Sequence, residues 1–72
     1  MKNEIGNRVK ELRLIKLGMT QEEFAICLGV DRTYLSRIES GKQNITIETL
    51  EQICKALGVS FSEFFEVFKV LD

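Results

Sequence analysis

The chain has 72 residues and a formal net charge of −1, with two cysteines and no histidine, proline or tryptophan. This length allows one small domain with a marginally stable core, so self-association is a reasonable expectation. Without histidine there is no imidazole base for catalysis, and two cysteines alone cannot complete a four-ligand zinc site. We therefore expect no enzyme activity, no metal and no cofactor.

The apolar runs in the sequence are short. The longest, Phe24–Leu28, has five residues, whereas a membrane-spanning helix needs about twenty. No segment resembles a signal peptide, so we expect a soluble, cytoplasmic protein with no membrane partner. Cys27 and Cys54 both lie in helical patterns, and one cysteine pair is too few for a disulfide scaffold, which favours reduced thiols.

The charges are unevenly distributed along the chain. Residues 1–47 have eight basic and six acidic side chains, whereas residues 48–72 have two basic and five acidic ones. The first part therefore has a charge of +2 and the second a charge of −3. An excess this small is compatible with chance and with a surface for a polyanion, and only a motif can distinguish the two.

The pattern of hydrophobic residues predicts helices along the chain and no β-strand. Ile5, Val9 and Leu12 share one helical face, which indicates a first helix that extends to about Lys16 and stops at Gly18. A second helix begins after Thr20, because the sequence of residues 20–23 has the form of a capping box.

The next two helices are also marked by their ends. Gly29 ends the second helix, and Asp31 is a good N-cap for a third helix over about residues 31–40. Thr46 is the predicted N-cap of a fourth helix, which Gly58 closes. The expected fold is therefore all-α, with five helices in a single domain over residues 1–72.

The last predicted helix, over about residues 61–71, is unusually apolar. It begins with a second capping box at residues 60–63, and we expect Phe61 and Phe64 to close the core. Aromatic residues on its other faces need a second burial surface, unless this end of the chain is frayed. We assign to a two-fold dimer interface the residues Phe65, Phe68 and Leu71.

The span from Gln21 to Ser40 has the spacing of a helix-turn-helix. Two helices that cross at about 90–120° need a small residue where they approach and a residue that tolerates positive φ in the turn, and Ala25 and Gly29 fit these needs. Leu35 and Ile38 anchor the second helix of the pair. Its opposite face is polar and contains Arg32, Thr33, Ser36, Arg37 and Ser40.

Several stretches of the sequence resemble the phage-repressor and Cro type of helix-turn-helix domain, the XRE family. The resemblance covers nearly the whole chain and lies in residues 20–25, 28–30, 34–41, 44–50 and 57–60. It implies a compact five-helix, lambda-repressor-like DNA-binding domain in which helices 2 and 3 form the helix-turn-helix. Residues 31–36 and 43–46 are most similar to restriction-modification controller proteins, with a phage-type repressor as the alternative.

The resemblance also implies a role for each matching position. Gln21 matches a glutamine that contacts phosphate at a helix start. Arg32, Thr33 and Arg37 match base-reading positions, because arginine can bind guanine and threonine can contact thymine. The implied DNA-binding residues are Gln21, Arg32, Thr33, Tyr34, Ser36, Arg37, Lys42 and Asn44, with Ser36 as a fourth base reader and Tyr34, Lys42 and Asn44 as phosphate contacts. For Tyr34, packing beside Leu35 and Ile38 is the alternative.

Arg13 and Glu39 match a structural ion pair of the family, although both residues could instead be solvated charges. Arg13 lies five residues before Gly18, where the family pattern has four. The first connection is therefore one residue longer than the pattern.

The resemblance implies a sequence-specific transcriptional regulator of double-stranded DNA, without a small-molecule ligand. We expect a homodimer that places two recognition helices in successive major grooves, about 34 Å apart. The alternative is an antitoxin-like interaction module, in which the last helix binds a different protein and DNA binding is secondary.

Overall fold

A computed structural model describes residues 2–68 of the chain. Within this range the order of elements is α1 (Lys2–Leu12), a π-helical turn (Arg13–Leu17), α2 (Gln21–Leu28), α3 (Arg32–Glu39), α4 (Ile47–Leu57) and α5 (Phe61–Phe64). No residue in this range is in a β-strand. The all-α fold with five helices is confirmed, and α2 and α3 form the helix-turn-helix.

Side-chain caps begin four of the helices at the positions that the sequence predicts. Each cap accepts a hydrogen bond from the backbone N–H three residues later, and the four caps are Thr20, Asp31, Thr46 and Ser60. Such a cap typically contributes about 1 kcal/mol. The capping box at Thr20 is complete, whereas at Ser60 only the first half forms, because the Glu63 carboxylate pairs with Lys16 Nζ at 2.8 Å.

The first helix ends in a π-helical turn before Gly18. α1 continues into residues 13–17 without a break, and Gly18 ends the element in the left-handed conformation, with a φ of 61°. In a π-helical turn each backbone hydrogen bond joins residues five positions apart, whereas in an α-helix it joins residues four positions apart. The additional residue between Arg13 and Gly18 is therefore accommodated within the helix.

A single core joins all five helices in the described range. Its fully buried side chains include Phe24 of α2, Leu35 of α3 and Phe64 of α5. Phe64 is buried as predicted, but the prediction for Phe61 is wrong, since this side chain is 37% exposed. Phe61 is the first residue of α5 and lies at the rim of the domain, beside Cys54 and Val59.

Both cysteines are free thiols, as expected from the sequence. Cys54 lies in the core, where burial raises the pKa of its thiol, and Cys27 is exposed on α2. In residues 2–68 no helix is long and apolar enough to cross a bilayer.

The last helix is much shorter than predicted. α5 spans Phe61–Phe64 and a turn follows, rather than a helix to residue 71. The reason lies on α1: the buried Arg8 donates from Nε to the carbonyl oxygen of Phe64 and from Nη2 to that of Glu63, both at 2.7 Å. In a longer α-helix these carbonyl groups would accept hydrogen bonds from the N–H groups of residues 67 and 68. Here both accept from Arg8, and that of Glu63 also accepts from the N–H of Glu66 at 3.3 Å, so the helix ends.

α1 packs closely against the end of α3 at Gly6. A Cβ atom at this position would overlap the carbonyl oxygen of Ile38 and lie 2.7 Å from that of Glu39. Only glycine allows the two helices to approach this closely. This contact fixes α3 relative to the rest of the domain.

Candidate nucleic-acid interface

α3 has one face in the core and one face in solvent. Leu35, Ile38 and Glu39 are buried, whereas Arg32 and Thr33 are exposed in the first turn of the helix. Neither exposed side chain forms a hydrogen bond or ion pair with any residue of the range 2–68. The helix therefore presents a guanidinium group and a hydroxyl group that are not engaged within the domain, while Ser36 is half-buried beside them.

A buried ion pair joins Arg13 to Glu39 and confirms the pair that the family resemblance implies. Arg13 Nε donates to Glu39 Oε2 at 2.8 Å and Nη2 donates to Oε1 at 2.9 Å. The two side chains are only 6% and 2% exposed. Arg13 Nη1 also donates to the carbonyl oxygen of Met19 at 2.7 Å, so one guanidinium group links the π-helical turn, the entry to α2 and the end of α3.

Gln21 is attached to the same carboxylate. Its Nε2 donates to Glu39 Oε1 at 3.0 Å, which fixes the side chain at the start of α2. A glutamine amide has two N–H groups, so a second donor remains for a phosphate. The buried pair thus positions the residue for which sequence reasoning predicts a phosphate contact.

Arg37 lies on the exposed side of α3, but its side chain contacts the loop after the helix. Nε donates to Gln43 Oε1 at 3.2 Å and Nη2 donates to the carbonyl oxygen of Lys42 at 3.1 Å. The side chains of Lys42 and Asn44 are exposed in this loop. The structure therefore brings Arg37 next to the two predicted phosphate contacts of the loop, and not next to Arg32.

Tyr34 occupies an intermediate position. Its ring is half-buried and packs against the core beside Leu28 and Val30. The packing alternative for this residue is therefore present in the structure. A phosphate contact by its hydroxyl group stays a prediction.

Two open grooves are lined by three of the predicted DNA-binding residues, Gln21, Arg32 and Ser36. One is lined by Gln21 and Arg32 together with Arg13 and Leu14 of the π-helical turn, and has a volume of about 480 Å³. The other, of about 290 Å³, is lined by Gln21 and Ser36 together with Asn7 and Lys10 of α1. Gln21 therefore lies between the first helix and the recognition helix.

Sequence reasoning did not select Asn7 and Lys10. The two residues are three positions apart, which places them on one face of α1. Helical spacing alone does not show which element such a face meets. The structure shows that this face borders Ser36 of α3 and the cap residue Ser40, where Lys10 adds a positive charge beside Gln21.

Comparisons with known proteins agree with this arrangement. A family model described as helix-turn-helix matches residues 9–64. The control protein C.MunI of a Mycoplasma species is 45% identical over 65 residues, which cover 90% of this chain and 88% of that protein. The control protein C.BamHI of Bacillus amyloliquefaciens is 44% identical over 54 residues, which cover 75% of this chain and 67% of that protein.

A solved structure is similar over the same range. The restriction-modification controller protein C.Esp1396I, as a tetramer in complex with its natural 35-base-pair operator, superposes with a TM-score of 0.80. It is 46% identical, and the match covers 90% of this chain and 84% of that one. The chain therefore belongs to the XRE-type helix-turn-helix family of DNA-binding transcription regulators, in which its close relatives include restriction-modification controller proteins.

Proposed function

We propose that this protein is a homodimeric regulator that binds a double-stranded DNA operator with α3 in the major groove. The observation that carries the proposal is the exposed face of α3, where Arg32 and Thr33 have no partner within residues 2–68. The opposite face is fixed by the core and by the Glu39 carboxylate. A rigid helix with donors on its free side has the geometry for reading base edges.

Within this proposal the residues of the interface have two tasks. Arg32, Thr33 and Ser36 read base edges, and Arg32 has the fork of donors that binds guanine O6 and N7. The phosphate backbone is contacted by Gln21, Tyr34, Lys42 and Asn44, with Lys10 as a further positive charge beside Gln21. The phosphate contacts set the register of α3, and the base contacts select the sequence.

The relatives support the controller function in particular. C.Esp1396I is solved as a tetramer on its natural operator. Solved variants of that protein replace an arginine, a threonine and a tyrosine that are consecutive in its chain, and the same three residue types are consecutive at residues 32–34 here. The predicted base readers Arg32 and Thr33 and the predicted phosphate contact Tyr34 therefore have the same three consecutive residue types in that protein.

The proposed dimer forms through the aromatic end of the domain. Phe65 and Phe68 are half-buried in the single chain, and their rings lie 5.6 Å apart. Leu71, the third residue that we assign to this interface, lies outside the described residues. The proposal includes a cytoplasmic location, where operator DNA is accessible, and no catalytic activity.

The test is a binding titration with two DNA duplexes. One duplex is taken from directly upstream of the protein's own gene, and the other is a scrambled duplex of the same composition. Fluorescence anisotropy is measured for both at two salt concentrations. We expect saturable binding of two protomers to the upstream duplex, with a preference of about a thousandfold or more over the scrambled one.

The same titration with two variants distinguishes a base contact from a phosphate contact. Arg32→Ala is expected to lose about 1 to 3 kcal/mol on the upstream duplex and little on the scrambled one, because it removes a base contact. Lys42→Ala is expected to weaken binding to both duplexes and to flatten the salt dependence, because it removes a phosphate contact. Equal and weak binding of the unmodified protein to both duplexes would contradict the proposal for this operator.

A further inference from the structure

We propose that Arg37 positions the loop after α3 for contact with DNA phosphates, and that it does not read a base. The inference rests on the proposed function, since it assigns a task to one residue of the same interface. It replaces the base-reading role that the family resemblance implies for this position.

Arg37 is bonded to the loop by both its side chain and its backbone. The guanidinium group donates to Gln43 Oε1 at 3.2 Å and to the carbonyl oxygen of Lys42 at 3.1 Å. The carbonyl oxygen of Arg37 accepts from the N–H of Lys42 at 2.8 Å and from Ser40 Oγ at 3.3 Å. The guanidinium group is therefore directed at residues 42 and 43.

The loop is the segment that contains two of the proposed phosphate contacts. Gly41, with a φ of 77°, turns the chain away from α3, and Ile45 packs against the core. Between these two points the side chains of Lys42 and Asn44 are exposed and form no hydrogen bond or ion pair within residues 2–68. In the described range the guanidinium group of Arg37 makes the only side-chain hydrogen bonds between α3 and residues 42–44, where Gln43 Nε2 also donates to the carbonyl oxygen of Asn44 at 3.3 Å.

A preformed loop favours DNA binding, because less conformational entropy is lost when its side chains meet the phosphates. The positive charge of Arg37 is also favourable in the last turn of α3, where the helix dipole is negative. A guanidinium group that turned to a base edge would lose both bonds to the loop. Base reading through the Nε–Nη2 edge and loop positioning therefore exclude one another in a single conformation of Arg37.

The test compares four proteins on the upstream and scrambled duplexes: the unmodified protein, Arg37→Ala, Lys42→Ala and the double variant. We expect Arg37→Ala to weaken binding to both duplexes by the same factor, roughly tenfold. The double variant is expected to bind about as weakly as the weaker single variant, because Arg37→Ala already removes the contact that Lys42 makes. Arg32→Ala is the matched control on the same helix, with a loss confined to the upstream duplex.

A second measurement uses the free protein. The heteronuclear NOE of the backbone N–H groups at residues 42–44 reports loop motion on the nanosecond timescale, and we expect lower values in Arg37→Ala. Three results would overturn the proposal: a loss confined to the upstream duplex, additive losses in the double variant, or an unchanged loop. If the unmodified protein bound neither duplex, the proposed function would fail. The NOE measurement would still decide whether Arg37 orders the loop at residues 42–44.

Discussion

At the scale of single residues, the Glu39 carboxylate joins three parts of the candidate interface. It is the last residue of α3, is 5% exposed, and accepts hydrogen bonds from Arg13 and Gln21. A carboxylate in such a place is stable only when it is paired, because burial removes its hydration. The same group therefore fixes the end of the recognition helix and the start of α2.

We expect Arg13→Ala to destabilise the fold strongly. The change leaves the Glu39 carboxylate buried without a positive partner, which typically costs about 3–5 kcal/mol. Urea unfolding followed by circular dichroism measures the loss. Lys10→Ala is the control, because Lys10 is exposed and its replacement should change stability by less than about 0.5 kcal/mol. Equal free energies of unfolding for Arg13→Ala and Lys10→Ala would contradict the stabilising role of the buried pair between Arg13 and Glu39.

At the scale of elements, the end of α5 is determined by a side chain of α1. Arg8 donates to the carbonyl oxygens of Glu63 and Phe64 and pairs with Glu11 Oε1 at 2.8 Å. Every buried polar side-chain atom in the described range has a hydrogen-bond partner. Arg8 thus stabilises the junction between the first and last helices, next to the residues of the proposed dimer interface.

Arg8→Ala is expected to lower the free energy of unfolding by about 2–3 kcal/mol, since it removes charge-assisted hydrogen bonds and leaves the buried carbonyl group of Phe64 without its donor. The matched control is Lys16→Ala. Lys16 also joins the first helix to α5, but its ion pair with Glu63 is exposed and should contribute no more than about 1 kcal/mol. Thermal and urea unfolding measure the stability of both variants. A larger loss of stability in Lys16→Ala than in Arg8→Ala would contradict this prediction.

The helix starts could be predicted from the sequence because their causes are local. Thr20, Asp31, Thr46 and Ser60 each bond to a backbone N–H only three residues away. The left-handed glycines that end helices are equally local signals. The ion pair between Arg13 and Glu39 is not local, and it could be predicted only because the sequence resembles a family that has such a pair.

Other features depend on contacts that the sequence does not show. Arg8 acts on carbonyl groups 55 and 56 residues away, and backbone carbonyl groups have no residue-specific signal. The apolar pattern after Ser60 therefore predicts a longer helix than the one that forms. Similarly, exposure of Arg37 on a polar helix face is compatible with base reading, and only the structure shows its bonds to the loop.

At the scale of the whole molecule, the aromatic residues near the end of the chain exceed what one small core can bury. Phe65 contacts the rings of Phe61, Phe64 and Phe68, with centroids 5.0–6.2 Å apart. Only Phe64 of this cluster is fully buried. Phe68 lies beside Arg8 and Val67, and the half-buried rings of Phe65 and Phe68 are the surface that we propose for contact with a second copy.

We expect the double variant Phe65→Glu with Phe68→Glu to weaken dimerisation by about thirtyfold or more, because charged groups replace central aromatic contacts. Sedimentation equilibrium measures the dimer, and circular dichroism confirms that the helices remain. Ile26→Glu is the control, since Ile26 is 74% exposed on α2, away from this cluster. A folded double variant that dimerises normally would place the dimer interface elsewhere.

α3 has a buried face that supports the fold and an exposed face without partners, and this separation affects how such regulators diverge. The side chains that support the fold, Leu35, Ile38 and Glu39, are separate from the side chains that face solvent at Arg32 and Thr33. Exchanges of exposed residues without partners usually change stability by less than about 0.5 kcal/mol. Under the proposed function, a new operator can therefore be acquired through a few substitutions in one helical turn, without a compensating change in the scaffold.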